Sequence, residues 1–285
     1  MAEGDARDVA YLAGLVKELD RPRFYAALFA PERLRPDLLA LFAFAAEIER
    51  IPDLVRDPTL GEIRLQFWRD RLEAVGEDVD GGAPVLRGLI AVIARHSLPV
   101  APLMALVEAR GADLYSDPPA TLADAEGILG ETQSSLFQLA AIVAGSAGPE
   151  SAETAGHAGV AYGLARRLAG LAHEQARRRT ILPLDVLARH GLGAQDVYAS
   201  DAKPALLAVI SDMVRQARRR LAEARAGLAA LPRQLKPPFL PLAVVEPLLR
   251  RTERLGPGIL HQRAALSDLE MLTRIAWARL AWRDG

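Results

Sequence analysis

The sequence predicts an all-α protein, and three observations support this fold class. Apolar residues recur at helical spacing along most of the chain, proline or glycine separates nearly every pair of such segments, and no segment alternates as a β-strand does. Of the 285 residues, 51% are hydrophobic but only 5% are aromatic, so Leu, Ala, Val and Ile must build the core. We expect a large helical bundle rather than a four-helix domain.

The predicted helices begin and end at recognisable signals. Thr59 with Glu62, and Thr121 with Asp124, have the spacing of a capping box, and prolines begin or end several other helices. No internal repeat and no long polar linker divides the chain, so we predict one domain over residues 1–285. The predicted helices span residues 5–19, 37–51, 59–76, 84–96, 102–115, 123–143, 151–175, 204–231, 241–255 and 263–282.

Composition excludes several classes of function. The formal net charge is −1, from 35 basic and 36 acidic residues, which gives no general attraction to nucleic acid. The chain has no cysteine, and its five histidines are scattered without metal-ligand spacing, so neither a disulfide framework nor a zinc site is expected. No secretory signal or membrane-spanning segment is recognised, which predicts a cytoplasmic protein.

Two groups of carboxylates are candidate ligands. Glu49 and Asp53 are four residues apart near the end of a helix, so both side chains could face one side and hold Mg²⁺. The alternative, a solvated pair on the surface, is the commoner outcome for this spacing, and Pro52 disturbs the geometry. For Glu108, Arg110 and Asp113 on one predicted helix, local ion pairing is the favoured interpretation.

The sequence contains two clusters of arginine, and the first is a candidate anion site. An apolar helix ends in Arg177, Arg178 and Arg179, and Glu174 is the only carboxylate between Val160 and the turn that follows. Three adjacent guanidinium groups could bind a phosphate or carboxylate group. Because nearly all basic residues of this chain are arginine, a single arginine is weak evidence of function. The second cluster, residues 218–220, is predicted to be a solvated helix face.

Several segments together resemble the squalene and phytoene synthase family. The resemblance extends over nearly the whole chain and includes an opening helix with Tyr25, a Leu-Phe-Ala-Phe segment before Glu49, and Trp68-Arg69 with Leu72. It also includes the frame of the second family motif at residues 164–168 and 181–183. The resemblance implies a bundle of the isoprenoid synthase type with a central cavity.

Active members of that family carry a DxxxD pattern on each of two facing helices, and these aspartates bind Mg²⁺ that bridges prenyl diphosphates. The present chain departs from the pattern at both places. The first pattern is carried over only as Glu49 and Asp53, with Arg50 where a further aspartate is common, and the second offers only Glu174 beside His173. Loss of metal ligands weakens metal binding strongly.

A narrower resemblance fits the chain without such gaps. It is to the branch of the family that contains mitochondrial respiratory complex I assembly factors and their bacterial relatives, which also has an acid-poor second motif. The resemblance implies a non-catalytic or altered-activity protein that acts at the inner face of a membrane. The residues that carry it are Arg64, Gln66, Trp68, Arg69, Thr132, Gln133, Ser134, Ser135 and the cluster Arg177, Arg178 and Arg179.

Two hypotheses about function therefore remain open. In the first, the chain is a pseudoenzyme that acts in complex I assembly, contacts complex I subunits and the membrane peripherally, and holds a lipid, quinone or isoprenoid in its cavity. In the second, it is a Mg²⁺-dependent prenyltransferase that condenses two prenyl diphosphates with Glu49, Asp53 and Glu174 as a rebuilt metal site. Loss of the second motif favours the first hypothesis.

Overall fold

The computed structural model describes residues 3–76, 82–115, 117–146, 148–198 and 204–284. Within these ranges the secondary structure is helical and contains no β-strand, which confirms the all-α prediction. The α-helices are α1 (Glu3–Leu19), α2 (Arg21–Phe29), α3 (Arg35–Glu49), α4 (Ile51–Leu54), α5 (Pro58–Glu73), α6 (Pro84–His96), α7 (Val100–Ala109), α8 (Leu122–Leu129), α9 (Ser135–Val143), α10 (Pro149–Ala169), α11 (Leu171–Ala176), α12 (Leu184–Arg189), α13 (Pro204–Ala230), α14 (Val245–Leu255) and α15 (Asp268–Asp284).

Shorter helical segments connect several of these helices. A π-helical turn, Gly130–Ser134, joins α8 to α9. None of the helices in the described ranges is long and apolar enough to cross a membrane. The 3-10 segments are Glu32–Leu34, Arg110–Leu114, Ala194–Tyr198, Arg233–Leu235, Pro237–Val244 and Gly256–Leu260.

Helix α3 is the centre of the first of two hydrophobic cores. Its sequence is apolar on nearly every side, and it packs against α1, α2, α6 and α9. The indole of Trp68 on α5 meets the ring of Phe44 edge to face, with 5.1 Å between ring centroids. This core places the C-terminal end of α3, and with it Glu49, at the boundary with the second half of the chain.

Helix α10 is the centre of the second core and packs along α13 and α14. It also lies against the π-helical turn, where a Cβ on Gly159 would stand 2.2 Å from the backbone nitrogen of Ser134. Only glycine allows two backbones to approach this closely. The buried small residues of α10 therefore bring its last turn, with Arg166 and Arg167, close to the first core.

The structure corrects two predictions about helix starts. The sequence pattern placed a break at Pro22, but proline is tolerated in the first turn of a helix, and the Asp20 carboxylate caps α2 by accepting from the Arg23 N–H at 3.3 Å. The capping box predicted at Thr59 is wrong, because Asp57 is the N-cap and accepts from the Thr59 N–H. The box formed by Thr121 and Asp124 is confirmed.

Several predicted helices are interrupted or shortened. The helix predicted over 123–143 contains the π-helical turn, and the one over 151–175 is divided at Gly170. The helices predicted to begin at 241 and 263 begin at Val245 and Asp268. The long apolar patterns were sufficient to predict helix but not the local change in hydrogen bonding that divides it.

Candidate functional site

A cavity of about 640 Å³ opens where the two cores meet. Its walls come from the ends of α1, α3 and α10, from α4 and α11, and from the segments 110–114 and 261–263. Six arginines and six carboxylates line it, which is a high density of charge for a cavity in a chain with a formal net charge of −1. These residues are Arg50, Arg110, Arg166, Arg167, Arg179 and Arg263, and Glu18, Asp20, Glu49, Asp53, Asp113 and Glu174.

Most of this charge belongs to one continuous series of ion pairs, here called the ion-pair chain. Four arginines alternate with four carboxylates, so each inner residue lies between two partners of opposite sign. The nitrogen–oxygen distances along it run from 2.8 to 3.4 Å. In order, the ion-pair chain consists of Arg23, Asp20, Arg166, Glu49, Arg110, Asp113, Arg167 and Glu174.

The inner end of the ion-pair chain is buried. Arg23 is only 2% exposed and donates to Asp20 at 2.9 Å and to the Gln133 amide oxygen at 2.8 Å. Its guanidinium also lies over the ring of Tyr162, 4.8 Å from the centroid, and the Tyr162 hydroxyl donates to Asp20 at 2.9 Å. Burial and the neighbouring Asp20 raise the pKa of Tyr162, so this hydroxyl remains a donor.

Glu49 lies in the middle of the ion-pair chain. Its two oxygens face Arg166 at 3.2 Å and Arg110 at 3.4 Å. Burial opposes ionisation of Glu49, but the attraction of Arg166 and Arg110 outweighs it and lowers the pKa to about 2. Both oxygens are therefore occupied by arginine at neutral pH.

The outer end of the ion-pair chain joins three different elements. Arg110 and Arg167 each donate to Asp113 at 2.9 Å, and Arg167 also lies 2.8 Å from Glu174, without hydrogen-bond geometry. Burial opposes ionisation of Asp113, yet the two arginines lower its pKa well below the ordinary value. The predicted local pair of Arg110 and Asp113 is confirmed, and the structure extends it to Glu49, Arg167 and Glu174.

Asp53 lies at the cavity wall with cations of its own. Its Oδ1 accepts from Arg179 at 2.6 Å and lies 3.3 Å from Arg177, while His173 approaches Oδ2 at 3.3 Å. Arg178 points elsewhere, because its backbone has φ of 52° and its guanidinium stacks on Tyr198, 4.9 Å from the ring centroid. The three adjacent arginines therefore do not form one anion site: two hold Asp53 and the third packs outside the cavity.

The run Thr132, Gln133, Ser134 and Ser135 forms the π-helical turn and the start of α9. Three of its hydroxyls donate to backbone carbonyls, those of Ile128, Gly156 and Gly130. Gln133 connects this run to the ion-pair chain, because its amide oxygen accepts a hydrogen bond from Arg23. This run therefore holds α8, α9 and α10 together around the inner end of the ion-pair chain.

The remaining family residues lie away from the cavity. Tyr25 and Trp68 pack in the two cores. Gln66 and Arg69 are linked to each other on the outer side of α5, and Arg64 is exposed. No residue of α5 lines the cavity within the described part of the chain, so the resemblance carried by this helix concerns its packing and its surface.

A second cavity of about 300 Å³ adjoins the first. The two share Glu18, Leu19, Asp20, Arg166 and Arg263, and most of the other walls of the smaller cavity are apolar. Arg263 forms no hydrogen bond or ion pair with the described residues, and burial with repulsion from Arg166 lowers its pKa. The apolar residues that line only the smaller cavity are Pro22, Ala169, Val244, Leu248, Ala264, Ala265, Leu266 and Met271.

The charged residues of the cavity do not fit a magnesium cluster. Glu49, Asp53 and Glu174 line the same cavity, but each already has at least one arginine partner. No group of three or more His, Asp or Glu side chains within the described ranges is arranged to hold a metal ion. Because Mg²⁺ needs carboxylate oxygens with free lone pairs in near-octahedral positions, these pairs occupy the ligands it would use.

Sequence reasoning missed several residues of this network. Asp20 and Arg23 stand at the start of α2, where helical spacing predicted no helix and only the family resemblance indicated one. Arg166 and Arg167 were quoted only within the frame of the second motif. The available signal was the pair of adjacent arginines on the otherwise apolar last turn of α10. A buried arginine needs a carboxylate partner, and the pattern alone did not say which one.

Comparisons with known proteins agree with this architecture. Residues 16–270 match the family model described as squalene/phytoene synthase. The chain is 28% identical over 273 residues to NADH dehydrogenase (ubiquinone) complex I, assembly factor 6, of Rattus norvegicus, covering 96% of this chain and 81% of the relative. It is 26% identical over 290 residues to the homologue of that factor in Drosophila melanogaster, covering 98% and 85% of the two chains.

Two solved structures show the same fold at lower sequence identity. A dehydrosqualene synthase in complex with a ligand superposes with a TM-score of 0.82 at 15% identity, covering 99% of each chain. The squalene synthase HpnC of Alicyclobacillus acidocaldarius gives a TM-score of 0.77 at 21% identity and covers 90% of this chain and 97% of that one. These likenesses confirm the isoprenoid synthase fold.

Proposed function

The chain belongs to the squalene/phytoene synthase family, and from that premise we propose that it is a non-catalytic member that acts in the assembly of respiratory complex I. The observation that carries the proposal is the ion-pair chain. Arginine occupies the carboxylates at the positions where active relatives would bind metal. The relatives named as complex I assembly factors supply the biological role.

The chemistry of the family explains why these pairs argue against catalysis. Ionisation of an allylic diphosphate leaves several negative charges on the departing group, which must be stabilised by cations in a site shielded from water. Guanidinium groups could supply positive charge, but those of Arg110, Arg166 and Arg167 are each shared between two internal carboxylates. The ion-pair chain is internally neutral, with four charges of each sign, and has little left to offer a diphosphate.

The two adjoining cavities suggest what such a protein retains. The hydrocarbon tail of a ligand would fit among the apolar walls of the smaller cavity, such as Val244, Leu248 and Met271. Arg263, at the wall that the two cavities share, would contact an anionic or polar head group. We propose a lipid, quinone or isoprenoid as the ligand class. Arg177 and Arg179 are assigned the structural role of neutralising Asp53 rather than that of an anion site.

The proposed place of action is the cytoplasmic side of the membrane that holds complex I. The chain would contact complex I subunits or their precursors and touch the membrane peripherally. Neither contact requires a membrane-spanning segment or a cofactor.

A deletion strain tests the role directly. We expect loss of this chain to lower NADH:quinone oxidoreductase activity and the amount of assembled complex I, while squalene, carotenoid and hopanoid content stays unchanged. Complementation with Glu49→Gln, which removes a carboxylate from the first motif position, should restore assembly if the variant accumulates to normal levels. Unchanged complex I with altered isoprenoid content would contradict the proposal.

The alternative is a Mg²⁺-dependent prenyltransferase, and one observation favours it. Glu49, Asp53 and Glu174 do line a single cavity, as a rebuilt metal site would require. Purified chain should then bind Mg²⁺ with farnesyl diphosphate in calorimetry and release pyrophosphate at ordinary enzyme rates. We expect neither, and turnover abolished by Glu49→Ala and Asp53→Ala would establish the alternative.

A further inference from the structure

We propose that the outward face of α5 is the surface by which this protein docks on a bilayer that contains anionic lipid. The docking surface, here called the α5 stripe, consists of Leu60, Ile63, Arg64, Phe67 and Arg71. The inference rests on the peripheral membrane contact of the proposed function and specifies the surface that makes it.

The α5 stripe follows from the helical period. Positions 60, 63, 64, 67 and 71 fall on one side of the helix, whereas the buried residues Leu65, Trp68 and Leu72 fall on another. Leu60, Ile63 and Phe67 expose 53%, 61% and 44% of their surface to solvent. A helix with a second apolar face that none of the described elements covers has a surface suited to an external partner.

Arg64 and Arg71 lie on a different side of α5 from its acids, so the stripe is complementary to an anionic surface. Arg64 has no hydrogen bond or ion pair with the described residues, and Arg71 is held only by stacking over the Phe67 ring, 5.4 Å from its centroid. No acid lies within the stripe. Arginine with a long apolar stem can extend its charge toward lipid head groups while neighbouring side chains enter the acyl boundary.

The acids of α5 lie on its other flank or are engaged. Glu62 pairs with Arg69, and Asp70 accepts from the Gln66 amide at 2.6 Å. Glu73 lies on the same flank as these residues, as the helical period places it. The stripe itself therefore presents positive charge and apolar side chains together, which is the combination that binds anionic bilayers.

The α5 stripe is also next to the cavity along the chain. Asp53 lines the cavity, and Leu54, the following residue, ends α4 with 53% of its surface exposed. Arg56, which is exposed and has no ion pair with the described residues, then leads into α5. The short connection between α4 and α5 therefore links the cavity wall to the stripe along the chain.

Helix α15 offers a comparison surface with similar apolar exposure. Leu269 and Trp277 are 70% and 74% exposed. The charges near them are engaged internally, because Arg274 pairs with Glu270, and Arg279 donates to the Phe29 carbonyl at 3.2 Å. Among the described side chains of α15 this apolar face has no available cation beside Leu269 and Trp277, so α15 supplies the matched control.

The test is co-sedimentation of the full chain with vesicles of phosphatidylcholine, with or without phosphatidylglycerol. We expect binding to the mixed vesicles that weakens with rising salt, because exposed charges are screened. Arg64→Gln and Arg71→Gln should each lower the partition coefficient roughly fivefold. The pair Ile63→Ser with Phe67→Ser should lower it by about tenfold or more, and the control pair Leu269→Ser with Trp277→Ser should leave it unchanged.

Three results would overturn the inference. The first is absence of binding to the mixed vesicles, and the second is an equal loss in the α15 control. The third is a set of α5 variants that bind vesicles normally yet fail to restore complex I in the deletion strain, which would assign the stripe to a protein partner. Thermal unfolding of each variant establishes that it is folded. Normal complex I assembly by a variant that cannot bind vesicles would show that membrane docking and complex I assembly are separate properties, so one proposal can fail without the other.

Discussion

The ion-pair chain and the α5 stripe use the same residue type in opposite ways. In the ion-pair chain, Arg23, Arg110, Arg166 and Arg167 each have a carboxylate partner within 3.4 Å. On α5, Arg64 has none among the described residues and Arg71 has only an aromatic ring. The difference shows that the number of arginines in a region does not indicate its function unless the partners of each arginine are known. Paired arginines fix the shape of the cavity, and unpaired ones remain available to a ligand.

The largest effect is expected at the buried end of the ion-pair chain. Arg23→Met retains much of the side-chain volume but removes one of the two cations that hold Asp20, leaving Arg166, and takes the donor from the Gln133 amide oxygen in the core. Removing one partner of a buried pair typically costs about 3–5 kcal/mol, so the free energy of unfolding should fall by that amount. Urea denaturation measures it.

Arg64→Met is the matched control for that experiment. It makes the same change on the α5 stripe, where no carboxylate is left behind, and should alter stability by less than about 0.5 kcal/mol. Similar losses for the two variants would remove the distinction between the two regions.

Acid should weaken the ion-pair chain through Glu49. The pKa of Glu49 is lowered in the folded chain from about 4.5 to about 2, so its contribution is fully present above pH 4.5 and is lost as the pH falls toward 2. Glu49→Gln should therefore lower the free energy of unfolding at pH 7 by about 1–3 kcal/mol and flatten its decline below pH 4.5. Denaturation curves at a series of pH values test this, with Glu73→Gln, an exposed acid on α5, as the control. Parallel pH dependence in wild type and Glu49→Gln would contradict it.

Arg263 is the exception within the cavity and sharpens the comparison. It has no partner among the described residues, and repulsion from Arg166 disfavours its charge. Arg263→Gln should raise the free energy of unfolding slightly, by at most about 1 kcal/mol. Arg50→Gln, which removes a cavity arginine paired with Glu47 at 2.8 Å, should lower it slightly. A loss of stability in Arg263→Gln would mean that this arginine has a structural role.

The smallest effect on stability is expected on the α5 stripe itself. Arg64→Ala combined with Arg71→Ala should change the melting temperature by no more than a degree or two, since surface substitutions of this kind stay within about 0.5 kcal/mol. Differential scanning calorimetry measures it. A marked loss would show that the stripe contributes to the fold and is not free to serve a partner.

The fold was largely predictable from the sequence, and the charged network was not. Proline, glycine and helical spacing located most helices, because these signals act within a few residues of chain. The N-cap at Asp20 and the turn at Arg178 were not predicted from the sequence, since each depends on one side chain or one backbone angle. The partners of Arg166 and Arg167 come from the N-cap of α2, from α3, from the segment after α7 and from α11, and no local sequence pattern predicts contacts between elements this far apart in the chain.

The alternating signs of charge along the ion-pair chain limit the single substitutions that this protein can accept during evolution. Because Arg110, Arg166 and Arg167 each serve two carboxylates, replacing any one of them leaves two neighbouring acids without a cation between them. Replacing Asp20, Glu49 or Asp113 leaves two arginines facing each other in the same way. Freeing these carboxylates for a metal ion through single substitutions would therefore pass through intermediates that leave charges of one sign facing each other, and such intermediates should be less stable than the present arrangement.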